Sequence, residues 1–157
     1  MYSSEELSLN SPAGISIRLL HLKPEKSPEI NMLSVQVAGT YPPGSLGNPH
    51  AKAISAATLH GLVLTDPVCL LFDFQHLTYT WGNALLGIYQ DTNRWLEAER
   101  EPNEPFHPVL TVLGPQSKKG WLSLMTPVGG NPPPNHFMKW EQAFEEGVRQ
   151  GREWHAF

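Results

Sequence analysis

Val68-Cys69-Leu70-Leu71-Phe72-Asp73-Phe74 is apolar at six of its seven positions. The run is too short for a helix and lacks the alternation of a half-wet strand. It therefore reads as a strand covered on both faces, the environment of a central, parallel position in a sheet. Upstream, Asn48 and Pro49 supply a helix start, an N-cap oxygen followed by a pre-set φ. Ile54, Ala57, Gly61 and Leu64 then share a face, and Asp66-Pro67 stops the helix, because a residue before proline avoids the α region. Downstream, Leu85, Ile88, Tyr89, Thr92, Trp95 and Leu96 recur at helical spacing, which predicts a helix from about Trp81 to Arg100 with Thr80 as its cap and Trp95 facing the core. No Lys or Arg occurs between Lys52 and Arg94, so this helix–strand–helix unit forms the heart of the fold.

Farther out, Ile15, Ile17 and Leu19 alternate with more polar neighbours, as do Leu33, Val35 and Val37. Period two on either side of the Pro24 to Pro28 turn predicts an antiparallel hairpin. Pro102, Pro105 and Pro108 form a stiff acidic connection to a short strand, Val109 to Leu113, and Ser117 to Met125 offers a turn or two of helix with Trp121 inward. The proline-rich run through Pro132, Pro133 and Pro134 is an exposed spacer. A last helix over residues 135–153 carries Phe137, Trp140, Phe144 and Val148 along one stripe, which must be covered by the domain's own sheet or by a second copy in a homodimer. Residues 1–14 are polar and end in Ser11-Pro12-Ala13-Gly14, a mobile leader to a single α/β domain over 15–157. The expected architecture is a mixed sheet of four to five strands packed against three to four helices.

The balance of 15 acidic and 11 basic residues in a chain of 157 gives a net charge of -4, which argues against nucleic-acid or anionic-membrane partners. No stretch reaches the ~18 apolar residues of a membrane span. Cys69 is the sole cysteine, so no intramolecular disulfide and no cysteine-based zinc site is available. Together with the lack of a signal-peptide pattern after Met1, this points to a cytoplasmic protein.

The order of predicted elements is similar to that of the STAS domain, shared by sulphate transporters and antagonists of anti-sigma factors. Val68 to Thr80 resembles that family's buried strand ending in Asp, its short loop and its Leu-Thr-aromatic approach to the next helix. Val35-Gln36-Val37-Ala38-Gly39-Thr40 resembles its second strand with a Gly exit. Phosphorylatable members open the second helix with Asp-Ser, whereas Trp81 and Gly82 stand here, followed by Asn83. The resemblance thus implies a platform that has lost its phosphoacceptor.

Candidate chemistry is sparse. Asp73 sits where open α/β sheets place ligand crevices, with the next helix aiming its amides there, and either holds the following loop or serves as a base beside His76. No nucleophile motif accompanies them. The seven histidines, His21, His50, His60, His76, His107, His136 and His155, show no metal-ligand spacing, and no cofactor motif is present. Gly44-Ser45-Leu46-Gly47 lacks the Lys of a phosphate loop and reads as a flexible loop.

Three functions fit these observations. The first is a non-catalytic, regulatory protein-binding module that meets its partner through His76, Tyr79, Trp81 and Asn83, with Tyr41 alongside. The second is an immunity-type inhibitor that neutralises a cognate toxin with the Glu97, Glu99, Glu101 and Glu104 cluster. The third is a small enzyme or ligand sensor built on Asp73 and His76.

Overall fold

The computed structural model describes residues 1–7 and 11–157; the segment 8–10 of the expected leader lies outside the described residues. The strands are β1 (Tyr2–Leu7), β2 (Ile15–Pro24), β3 (Met32–Thr40), β4 (Cys69–Phe74), β5 (Leu77–Thr78), β6 (Val109–Leu113) and β7 (His136–Phe137). The helices are α1 (Asn48–Thr65), α2 (Ala84–Leu96), α3 (Lys118–Met125) and α4 (Trp140–His155), and a 3-10 turn, Gly44–Gly47, leads into α1. The α/β class is as expected, but among the described residues the mixed sheet has seven strands, in the order β1-β2-β3-β4-β6-β7 with β5 beside the end of β3.

The two extra strands at the margins are short or polar, which is why hydrophobic alternation misses them. Tyr2–Leu7 is no leader: it pairs antiparallel with β2 from Tyr2 opposite Pro24 to Leu7 opposite Leu19. The β2–β3 hairpin is antiparallel, and β3–β4, β4–β6 and β6–β7 are parallel. All six residues of β4 are buried, as its composition demands.

The three parallel crossovers step in one direction across the sheet. Crossovers of uniform hand then lay their helices on the same face. Accordingly Ile54 and Leu62 of α1, Leu85 and Ile88 of α2 and Trp121 of α3 share one core with Val35, Leu70, Phe72 and Phe74. The opposite face is closed by α4, whose Ala143 packs with Met32, Cys69, Leu71, Leu110 and Val112. Trp140, Phe144 and Val148 flank this contact, with Tyr2 of β1 against the Trp140 and Phe144 rings at 5.3 and 5.5 Å. The stripe of α4 is therefore taken up by its own sheet. The helix starts at Trp140 rather than 135, because His136–Phe137 is drawn into pairing with β6.

Two core assignments are corrected. In α1 the buried positions Ile54/Ser55, Thr58 and Gly61/Leu62 advance by 3.6 residues, so Thr65 continues the stripe and Leu64 is exposed. In α2 the buried residues Leu85, Ile88 and Thr92 stop one turn short of Trp95, which lies in the last turn of the helix and is 40% exposed. This helix begins after Asn83, without a side-chain cap bond, so Thr80 is not its cap.

Close approach of α4 to the sheet rests on glycines. A Cβ on Gly151 would lie 2.6 Å from Ile30 Cγ2 and 3.3 Å from Val68 Cγ1, both on stiff β-branched side chains. Gly151→Leu is expected to cost about 1–3 kcal/mol by overpacking, whereas Gln142→Leu on the exposed side of the same helix stays within about 0.5 kcal/mol of the parent. Urea denaturation of both variants measures this, and equal midpoints would contradict the docking of α4.

Candidate functional site

The segments 39–44 and 77–82 run side by side past the end of the sheet. Gly39 and Thr40 register with Leu77 and Thr78, the Tyr41 N–H donates to the Thr78 carbonyl at 2.9 Å, and the Gly44 N–H donates to the Trp81 carbonyl at 3.1 Å. The two segments that the sequence names as a candidate surface are thus joined by backbone hydrogen bonds. Gly82 adopts φ +143, a conformation that side-chain-bearing residues rarely take, and this turn carries Trp81 back over the 3-10 turn. The contact is close enough that a Cβ on Gly44 would meet Trp81 Cη2 at 2.5 Å.

Tyr41 and Tyr79 are core residues here, not surface contacts. Their rings meet edge-on at 5.4 Å, Tyr41 is 1% exposed, and the Tyr79 hydroxyl donates to the Gly82 carbonyl at 2.8 Å. Burial pushes each phenol up to about 12. They are buried because period two continues through Leu77 and Tyr79 into the α1–α3 side of the sheet, where Leu77 and both tyrosines join the larger core. What remains outside is Trp81 at 64% exposure, Leu46 at 70%, Asn83 and His76. The expected flexible loop at Gly44–Gly47 is a 3-10 turn that presents Leu46 to solvent.

Asp73 lies on the other face of the sheet. Phe72 and Phe74 point toward the crossover helices, so alternation sends Asp73 to the α4 side, away from the start of α2. One transverse row of the sheet reads Arg18, Gln36, Asp73, Val112, Phe137. Within it Asp73 Oδ1 accepts from the Gln75 N–H at 3.1 Å and from Gln75 Nε2 at 3.0 Å, while Oδ2 accepts from Gln36 Nε2 at 3.4 Å. At the edge of the row Arg18 donates twice to Glu6, at 2.9 and 3.0 Å, which holds the Glu6 carboxyl below its ordinary range. Asp73 is 6% exposed and spends its oxygens holding the Gln75 turn.

His76 is exposed and lines a cleft of ≈ 450 Å³ with Gln75, Thr78, Leu113, Gly114 and Met138, a lining that excludes Asp73. Among the described residues no hydrogen bond or ion pair joins Asp73 to His76, so the suggested acid/base couple is not assembled. Cys69 is fully buried, and desolvation raises its thiol pKa far above the ordinary value. Among the described residues no three His, Cys, Asp or Glu side chains converge as a metal site would require.

At the opposite, amino end of the parallel strands lies a larger groove of ≈ 670 Å³, lined by Glu97, Glu99 and Glu104 of the acidic cluster that the sequence singles out. Trp95 and Trp154 stand in its wall, with the Trp154 ring 5.1 Å from His107. The His107 Nε2–H donates to the Pro67 carbonyl at 2.7 Å, tying the 97–108 connection to the α1–β4 junction, and burial lowers the imidazole pKa. Arg100 pairs with Glu97, donates to the Glu104 carbonyl at 2.8 Å and lies 4.1 Å over the Phe106 ring.

No protein-family model matches this chain, and neither does any curated protein or solved structure.

The two tyrosines under Trp81 differ in one respect that can be measured. Among the described residues the Tyr41 hydroxyl is buried with no hydrogen-bond partner, whereas that of Tyr79 has one. Tyr41→Phe is therefore expected to leave stability unchanged or raised, and Tyr79→Phe to lower it by about 0.5–1.5 kcal/mol. Thermal and urea unfolding of the pair read this difference; the reverse order would contradict the assigned hydrogen bond.

Proposed function

We propose that the chain is a non-catalytic protein-binding module that recognises its partner through the face carrying Trp81, Leu46, Asn83 and His76. The observation that carries this reading is the exposure of the Trp81 indole, 64%, on a backbone held by the Gly44 hydrogen bond and the Tyr79–Gly82 bond beneath it. A large amphipathic ring on a fixed support loses little conformational entropy on binding, which is why tryptophan dominates interface energetics. Leu46, raised on the adjoining 3-10 turn, extends the apolar contact beside it.

A catalytic reading receives less support, because Asp73 is committed to Gln36 and Gln75 and does not line the cleft that holds His76. The resemblance to STAS domains fits the binding reading. Trp81 and Gly82 in place of an Asp-Ser pair make the face one that is presented at all times rather than switched by phosphorylation.

Affinity capture with the immobilised chain tests the reading. The native chain is expected to retain a stoichiometric protein that Trp81→Ala retains at no more than about one tenth, as befits a hot spot. Val63→Ala, which truncates another exposed apolar side chain on α1, is expected to retain it fully. Equal capture by the native chain and Trp81→Ala, with both folded, removes the assignment.

A further inference from the structure

We propose that the groove at the amino end of the parallel strands is a docking site for an arginine side chain on a segment of a basic protein partner. This surface lies at the other end of the sheet from Trp81, so the inference is independent of the function proposed above. Its lining carries five carboxylates, Glu29, Asp66, Glu97, Glu99 and Glu104, against one guanidinium, that of Arg100.

The backbone adds to the same field. Helices α1, α2 and α4 all end here, at Thr65, Leu96 and His155, and residues from each terminus line the groove. A helix carboxyl end bears about half a negative charge on its unpaired carbonyls. Three such ends together favour a cation independently of the side chains. One of the chain's own donors already turns to them: Asn31 Nδ2 donates to the Thr65 carbonyl at 3.0 Å and to that of Asp66 at 3.4 Å.

Arginine is favoured over lysine by the walls. Trp95 and Trp154 offer flat apolar faces against which a planar guanidinium stacks, while the carboxylates accept its paired N–H groups. The groove contains a worked example in Arg100, held by a carboxylate, two backbone carbonyls at 2.8 and 3.2 Å and an aromatic ring at 4.1 Å. Glu29 and Glu99 are exposed and line the groove, which leaves them free to receive a second such group.

Titration of the full chain with hexa-arginine and hexa-lysine peptides, followed by calorimetry and tryptophan fluorescence, tests this. The expected result is saturable one-to-one binding of the arginine peptide with a change in tryptophan emission, and weaker binding of the lysine peptide. The double variant Glu29→Gln/Glu99→Gln is expected to weaken the arginine peptide about fivefold or more, and Trp95→Ala to abolish the preference for arginine over lysine. Glu141→Gln/Glu145→Gln, on the exposed side of α4, and Trp81→Ala are expected to leave the affinity unchanged. Equal weakening by the two glutamate pairs would reduce the effect to general attraction for a polycation and overturn the site. So would equal affinity for both peptides, or absence of saturable binding while circular dichroism shows every variant folded.

Discussion

Every other element of this chain answers to a strand that water touches on neither face. Cys69–Phe74 is wholly buried, so its backbone must be paired on both sides and its side chains covered above and below. Pairing comes from β3 and β6, both parallel to it. Parallel neighbours require crossovers, and those crossovers supply the helices that cover Leu70, Phe72 and Phe74. Connections of this kind serve one face only when the strand order advances steadily. The other face, with Cys69 and Leu71, waits for a segment from elsewhere, and α4 fills that place through Ala143 and two glycines that let the helix lie close.

The same geometry determines where the surface chemistry falls. Parallel strands with return helices put all the helix starts at one end and all the helix ends at the other. At the strands' carboxyl end the chain builds the seam between the 3-10 turn and the approach to α2, and Trp81 is lifted out of it. At the amino end the helix termini and the carboxylates of the 97–104 connection give a field of the opposite character. The polar row of Arg18, Gln36 and Asp73 marks the part of the second face where side-chain hydrogen bonds replace apolar cover, which explains how a carboxylate sits inside the central strand.

Much of this was legible in the sequence. The apolar run, broken only at Asp73, identified the central strand, and period two identified the β2–β3 hairpin. Burial along α1 and α2 was legible only approximately, since residues spaced by three and four satisfy several phases of a helix; Leu64 and Trp95 were assigned inward and lie outward. Strand β1 was missed because Ser3, Ser4, Glu5 and Glu6 stand at a sheet edge, where pairing is driven by backbone hydrogen bonds and not by apolar alternation. At the candidate surface, Trp81 and Asn83 stand at the expected helix start, a place that suits an exposed side chain and a buried staple equally, so the sequence left the exposure of Trp81 open. Tyr41 and Tyr79 could not be told from surface aromatics, because their burial comes from pairing between β5 and β3, two segments far apart in the chain.

Native-state amide hydrogen exchange tests the central claim, that one doubly covered strand organises the molecule. The N–H groups of Leu70 to Phe74 should exchange only through global unfolding, with an opening free energy equal to that from denaturant unfolding, while those of the edge strand β1 exchange through local opening at a much lower free energy. Exchange in β4 as fast as in β1, under conditions where the chain is folded, would contradict it.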